Sequence, residues 1–545
     1  MTDSQDSQPT EALSRRALRE SEGKRAASRR SRNSGAAGAT AAGAASTGAT
    51  GAGAADIAAG GADGNSAGNS AANSAAAAAG AAGATGIGAM VRRHPTVWLA
   101  SALGVAFLIL GTGAVFAGIS AGSNSSAAIP LPTASELPPR PQPTTIPTLA
   151  RLRTCSVAAP AADGRLATFS GYVANATTGE MLFDRNGETG QRTGSVLKTL
   201  TAAAALNILG PNAQLSTKVI DGSSPGTIVL QGGGDPTLAT TGGTVYDGAP
   251  QIADLANATV KAYKKLHPGV DIKNIVLDST LWDPADNWDS SWLRKEQADG
   301  YQAEVTALMV DGGRADPTST VSTRSDDPIG DAGRAFAAAA GLSGVTFSTG
   351  AAVGSTVLAE VKSQPLSTLI GQMMSWSDNI LAENLARVVS KTLGFNGSSA
   401  SLAQAIPGGL SEYGLPTNKI SIRDGSGLSD LNAVSPLFVS QLMAKVKAGV
   451  KDLGVLYSAL PVAGQSGTLS DRFTGANEIA RGHIRGKTGW LDSAYTLAGI
   501  IDAADGTPLV FAFYSIQDGI SSDAKEAQDT LATAVYSCGD NLSNN

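Results

Sequence analysis

The chain holds only two cysteines, Cys155 and Cys538. They bracket its foldable part almost end to end, so a bond between them would force the first and last elements of one domain to meet. Two lone cysteines are often paired outside the reducing cytoplasm. Left as free thiols, they would impose nothing. In the chain-entropy picture a bridge closing so long a loop contributes on the order of 4–5 kcal/mol, as an upper figure.

The chain ahead of Cys155 has a different character. Residues Gly35 to Gly88 are almost entirely Ala, Gly, Ser, Thr and Asn. Such a stretch has almost no large apolar side chain to bury and cannot offset its ordering entropy. It is expected to be disordered. Arg15, Arg16, Arg19, Lys24, Arg25, Arg29, Arg30 and Arg32 crowd the N-terminus. They suit a solvated basic tail on the cytoplasmic side of a membrane, or a contact with anionic lipid or nucleic acid. The overall charge of −6 gives no reason to expect nucleic-acid binding by the main domain.

From Thr96 to Ser120 no residue is charged, and Val97, Trp98, Leu99, Val105, Phe107, Leu108, Ile109, Leu110, Val115 and Phe116 make the run apolar. The length matches a transmembrane helix. Arg92 and Arg93 precede it and no acid follows before Glu136. That asymmetry predicts a single-pass cell-membrane protein, N-terminus in the cytoplasm and catalytic domain outside. A cleaved signal peptide is the alternative, but its basic region is normally short and N-terminal. Seven prolines between Pro130 and Pro147 then form an extended tether.

The folded region begins near Arg151. Phe169–Asp184 has the pattern of a hairpin, and Val219–Leu230 of a second one around a Gly-Ser-Ser-Pro-Gly turn. Helical patterns cover Ser195–Leu206, Ile252–His267, Arg334–Ala340, Leu366–Leu393, Pro436–Ala448 and Ala524–Ser537, with strands in Ile484–Ile500 and Pro508–Ile516. Helices mixed with antiparallel hairpins predict an α+β architecture.

The chemistry must do without histidine. His94 lies at the expected membrane edge, His267 in a polar loop, and His483 is the third. No His-Glu-x-x-His or paired-cysteine motif is present, so neither metal nor cofactor is expected. Gly-x-Ser-x-Gly occurs at Gly64–Gly68, Gly118–Gly122 and Gly222–Gly226. None of these sits at a strand-to-helix elbow. Ser195-Val-Leu-Lys198 offers a serine with a lysine base three residues on, a spacing that shares one helix face. Ser21–Lys24 and Ser522–Lys525 match the same pattern. The first is cytoplasmic in the expected topology and the second falls after all the other motifs, whereas Ser195 is followed in order, within the folded region, by Ser377-Asp378-Asn379 and by Lys487-Thr488-Gly489.

These three motifs, in this order, resemble the active-site set of the penicillin-binding proteins and serine β-lactamases. Gln231-Gly-Gly-Gly-Asp-Pro-Thr-Leu238, Asp424-Gly-Ser-Gly-Leu-Ser-Asp-Leu-Asn432 and Ser466-Gly-Thr-Leu469 narrow the resemblance to peptidase S13, the low-molecular-mass class C penicillin-binding proteins. It covers about residues 151 to 540. The gap from Lys198 to Ser377, roughly 180 residues, exceeds what neighbouring motifs of one compact unit need and implies an insertion.

The expected fold is thus an α+β penicillin-binding/serine β-lactamase-like transpeptidase domain. An inserted domain falls between its first and second motifs, and a disordered tail and one transmembrane helix precede it. The divisions are a tail over 1–95, a membrane helix over 96–120, a linker over 121–150 and an insertion over 215–355. The catalytic domain is split around that insertion into 151–214 and 356–545.

The resemblance implies a serine-type D-Ala-D-Ala carboxypeptidase acting on peptidoglycan stem peptides and acylated by β-lactam antibiotics. Ser195 would be nucleophile and Lys198 its base, kept neutral partly by repulsion from Lys487. Ser377 would relay the proton, and Asn379 would orient Lys198 and the substrate amide. Thr488 would bind the terminal carboxylate, and the amides of Ser195 and Trp490, next to Gly489, would hold the oxyanion. The chain departs from the family at Thr193-Gly194, where Pro-Ala is usual, at Trp490, where Thr is common, and at Asp430, where a basic residue is common. The rivals are an endopeptidase or transpeptidase on cross-links, a β-lactamase, and an inactive wall-binding scaffold. Asp378, Asp424 and Ser426 are expected to be structural, Asp235 to cap a turn, and His483 and Arg485 to lie on the rim.

Overall fold

The computed structural model describes residues 152–544. Its strands, in chain order, are β1 (Cys155–Ser156), β2 (Thr168–Asn175), β3 (Met181–Arg185), β4 (Ser216–Asp221), β5 (Thr227–Gln231), β6 (Asn274–Asp278), β7 (Thr346–Thr349), β8 (Val357–Lys362), β9 (Ile484–Leu491), β10 (Ala494–Asp502), β11 (Pro508–Ile516) and β12 (Leu542–Ser543). The main helices are α1 (Lys198–Leu209), α2 (Ile252–Leu266), α3 (Pro328–Ala339), α4 (Leu366–Trp376), α5 (Asn379–Thr392), α6 (Leu402–Leu410), α7 (Pro436–Lys447), α8 (Leu453–Ala459) and α9 (Ala524–Cys538).

One antiparallel sheet, ordered β3-β2-β11-β10-β9, joins the N-terminal hairpin to the last three long strands. Its period-two alternation is complete on β11. Leu509, Phe511 and Phe513 pack with Ala527, Leu531 and Val535 of α9, while Val510, Ala512 and Tyr514 face the core that holds α1 and α7. Helices on both faces explain why β10 is buried from Ala494 to Ile501. This sheet leaves β9, which carries Lys487-Thr-Gly, as an edge.

Helix α1 is buried on every side from Lys198 to Leu206, the signature of a core helix rather than an amphipathic one. Its alanines let α6 approach closely: a Cβ on Gly409 would stand 2.7 Å from the Cβ of Ala204. A second five-stranded sheet, β7-β6-β5-β4-β8, is built wholly from the chain between Lys198 and Ser377. It pairs β5, β6 and β7 in parallel, and its core includes Val219, Ile228, Leu230, Leu255, Ile275 and Phe336.

The single helix expected over Leu366–Leu393 is two helices, broken at Ser377, whose φ of 57° no α-helix accommodates. The apolar spacing continues on both sides of the break and conceals it. The helix expected from Arg334 begins at Pro328, where Asp327 caps it by accepting from the Gly330 N–H. One expectation needs correction. Among the described residues no helix is long and apolar enough to cross a membrane, and the span assigned to 96–120 lies outside them. The fold class of the described residues is therefore the α+β transpeptidase-like fold with its insertion, with no membrane-spanning helix among them. The membrane partner and the single-pass localisation inferred from that helix are withdrawn with it.

Cys155 and Cys538 form a disulfide with Cα atoms 5.5 Å apart and a sequence separation of 383. It lies beside the parallel pairing of β1 with β12, so the ends of the fold are joined twice. Replacing both cysteines by alanine is expected to lower the unfolding free energy by about 2–5 kcal/mol in a denaturant titration. An unchanged midpoint and slope would show that the β1–β12 contact suffices.

Candidate active site

Ser195 occupies a short 3₁₀ turn, Gly194–Leu197, that runs straight into α1. Lys198 follows one turn later and is wholly buried. Its Nζ donates to Ser195 Oγ at 2.8 Å, to Asn379 Oδ1 at 2.6 Å and to the Ser426 carbonyl at 2.8 Å. Three acceptors saturate an ammonium. A neutral amine has two N–H donors and one lone pair. Asn379 and Ser426, which accept here, would keep the two donors and leave the lone pair for the Ser195 hydroxyl proton. Burial pushes the Lys198 pKa down to about 8, against the opposing pull of Asp424, Glu383 and Asp378.

The second motif sits on the break between α4 and α5. Ser377 ends α4 in the left-handed region, and Asp378 caps α5, its Oδ1 accepting from the Leu381 N–H at 3.0 Å. The other oxygen of Asp378 accepts from Arg314 Nη2 at 2.6 Å and from the Tyr246 hydroxyl at 2.9 Å, all three side chains being buried. Burial alone would raise the Asp378 pKa; Arg314 and Arg324 overcome this and hold it well below the usual carboxylate range. Both arginines come from the insertion. Asp378 thus shapes the loop while Ser377 and Asn379 face Lys487 and Lys198.

Lys487 is also wholly buried and donates to Ser377 Oγ at 2.9 Å and to the Thr488 carbonyl at 2.8 Å. Burial, then repulsion from Lys198, lowers its pKa well below the ordinary lysine value. Repulsion between two amines is mutual, so a proton on either disfavours a proton on the other; for Lys198, burial is the largest cause of the depression.

Edge strand β9 lies directly against the Ser195 turn. A Cβ on Gly489 would stand 2.9 Å from the Ser195 nitrogen and 2.5 Å from the Thr193 carbonyl oxygen; one on Gly194 would stand 2.9 Å from the Trp490 nitrogen. Gly194 also has a φ of 48°, so glycine is required at both positions by contact and at one by conformation as well. The hydroxyl of Thr496 donates to the Thr193 carbonyl at 2.6 Å and locks the seam. The backbone nitrogens of Ser195 and Trp490 lie on either side of this seam, and two N–H groups aimed into the cleft from there could serve an oxyanion. The Trp490 ring stacks on Tyr495 with centroids 6.2 Å apart. Thr488 Oγ1 donates to Thr468 Oγ1 at 2.8 Å.

Asp424 is a buttress, accepting from Trp292 Nε1, Asn432 Nδ2 and the N–H groups of Gly427 and Ser429. Glu383 plays a matching role that the sequence reading missed. Its buried carboxylate accepts from the N–H groups of Gly425 at 3.0 Å and Ser426 at 2.8 Å, which fixes the Ser426 carbonyl on Lys198. Burial, with Asp424 adding to it, raises the Glu383 pKa. The available signal was its place one helical turn beyond Asn379, on the same face. Asp235 caps its turn by accepting from the Thr237 N–H. His483 packs at a tilt against Tyr536 and Arg485 lies over Tyr457, so neither joins the lysine cluster. Asp430 pairs with Ser493 and lies 3.8 Å from Arg192.

Arg314→Met would leave the Asp378 carboxylate buried without its cation. The expected loss is about 3–5 kcal/mol of unfolding free energy, read by denaturant titration. A loss under 1 kcal/mol would show that the insertion does not hold the Ser377 loop.

The D-Ala-D-Ala carboxypeptidase 3 (S13) family model matches residues 154–322 and 315–536. Carboxypeptidase DacB of Mycolicibacterium smegmatis is 35% identical over 482 residues, which are 82% of this chain and 99% of that protein. Carboxypeptidase Rv3627c of Mycobacterium tuberculosis is 34% identical over 405 residues, covering 71% of this chain and 84% of the relative. Penicillin binding protein 4 (dacB) from Haemophilus influenzae has a similar fold, with a TM-score of 0.55 at 19% identity over 68% of this chain and 96% of that one. With the family model matched across both halves of the catalytic domain and the insertion between them, and the three motifs converging on one buried lysine pair, the protein belongs to the D-Ala-D-Ala carboxypeptidase 3 (S13) family.

Proposed function

We propose that this serine-type D-Ala-D-Ala carboxypeptidase cleaves peptidoglycan stem peptides with Ser195 as nucleophile and Lys198 as base. The observation that carries the assignment is the 2.8 Å contact between Lys198 Nζ and Ser195 Oγ, with the other two acceptors of that amine supplied by Asn379 and Ser426.

Neutral Lys198 takes the hydroxyl proton as Ser195 Oγ bonds to the carbonyl carbon of the penultimate D-alanine. The oxyanion of the tetrahedral intermediate is held by the amides of Ser195 and Trp490. Collapse breaks the C–N bond, and the leaving D-alanine nitrogen takes a proton from Ser377 Oγ, which Lys487 or Lys198 restores. Water then hydrolyses the ester and regenerates Ser195. The terminal carboxylate of the substrate sits at the Thr488 hydroxyl. Its negative charge favours protonated Lys487, reversing the resting depression of that amine. Proton and substrate charge are coupled in this way: substrate arrival moves positive charge toward Lys487 and leaves Lys198 as the neutral partner. A β-lactam presents the same carbonyl and carboxylate and acylates Ser195, with a ring remnant that slows release.

Incubating the full-length protein and its Ser195→Ala variant with fluorescent penicillin, alongside a D-alanine release assay on a diacyl-D-Ala-D-Ala peptide, tests the assignment. Stable labelling and D-alanine release, both lost in the variant, are expected. Labelling without release would favour cross-linked substrates, and rapid penicillin turnover a β-lactamase. Unlabelled wild type would overturn the assignment in favour of an inactive scaffold.

A further inference from the structure

The hydroxyl that meets Thr488 is set on a built turn of its own. Thr468 lies in the 3₁₀ turn Gly467–Leu469, whose Leu469 is fully buried. Gly467 has a φ of 54°, and a Cβ there would stand 3.1 Å from the Ser375 carbonyl oxygen, in the last turn of α4. The Ser466 hydroxyl accepts from the Val462 N–H at 3.0 Å, and the Leu469 carbonyl from the Gly464 N–H at 2.9 Å. The turn is therefore wedged between the helix that ends at Ser377 and the strand that carries Lys487, and Thr468 has little freedom to move away. Both threonines are half-buried, in contact with the framework and with solvent.

The bond between them uses the Thr488 proton and leaves the Thr468 proton unused among the described residues. A hydroxyl pair needs only one such proton, and each oxygen can rotate its proton to another acceptor. The Lys487 amine is bonded to the Thr488 carbonyl at 2.8 Å. Two hydroxyl donors side by side, next to a buried amine, suit a ligand with two acceptor oxygens and a negative charge.

We propose that Thr468 is a second ligand of the substrate's terminal carboxylate. Thr488 turns its proton from Thr468 to one carboxylate oxygen, and Thr468 donates to the other. The turn Gly467–Leu469 then contributes directly to selecting substrates with a free C-terminal carboxylate. The proposal rests on the reading of Thr488 as the carboxylate site.

The test compares acylation rates of the full-length enzyme by benzylpenicillin and by its methyl ester, followed by intact mass. Thr468→Val keeps the side-chain shape and removes the donor. It is expected to slow acylation by the acid about tenfold, the worth of one hydrogen bond to a charged group, and acylation by the ester less than twofold. Thr468→Ser should restore the acid rate to within about threefold of wild type. Equal slowing with both reagents would assign Thr468 a structural role, and no slowing would assign it none; either overturns the proposal. Thr488→Val separates the two levels. If it lowers the acid-to-ester ratio while Thr468→Val does not, only the Thr468 assignment fails. If neither variant changes the ratio, the carboxylate site at Thr488 fails as well.

Discussion

Two lysine amines are buried within reach of one serine pair, and the rest of the site exists to make that tolerable. An ammonium removed from water must be matched by acceptors placed around it. Lys198 receives them from three separate stretches of chain: its own turn at Ser195, the start of α5 at Asn379, and the carbonyl of Ser426. Each of those is fixed in turn. The Asp424–Gly427 loop hangs on Glu383 from α5 and on its own Asp424, which Trp292 of the insertion also holds. The same burial that demands these partners makes the neutral amine accessible near pH 8, so framework and reactivity have one cause.

The insertion is consequently integral to the catalytic framework. Arg314 and Tyr246 hold Asp378, and Asp378 caps the helix that presents Asn379. Asn384, one residue past Glu383, donates to the carbonyls of Gly234 and Thr306, both in the insertion. The Gly-Gly-Gly-Asp segment thus has a packing reason. A Cβ on Gly232 would fall 2.2 Å from the Ala307 carbonyl oxygen, and one on Gly233 would fall 2.1 Å from that of Ser216. Only bare backbone fits there.

Much of this was legible in the sequence because the essential spacings are local or ordered along the chain. Ser195 and Lys198 share a helix face by their separation, and Ser377, Asn379, Lys487, Thr488 and Gly489 stand in motifs whose order is distinctive. The departure at Thr193-Gly194 also finds a reason, since the chain at Gly194 needs a positive φ and close approach to β9. What was not legible depends on long-range contacts. Ser377 breaks a helix whose apolar spacing runs on unchanged. Glu383 looks like any polar residue on an amphipathic helix until Gly425 and Ser426 are brought beside it. Thr468 acquires a role only when β9 is laid against its turn. The repulsion between the lysines follows from their motifs, but the complete burial of both amines does not. The membrane helix rested on an apolar run that lies outside the described residues.

The central claim is that burial makes neutral Lys198 the base for Ser195. The pH dependence of second-order acylation by benzylpenicillin reads it most directly, because that constant reports ionisation of the free enzyme. Lys198 is competent when deprotonated, so the rate should fall tenfold per unit as pH drops below an apparent pKa of about 8 and level off above it. A rate that stays flat down to pH 6, or that keeps rising to the ordinary lysine value, would contradict the account.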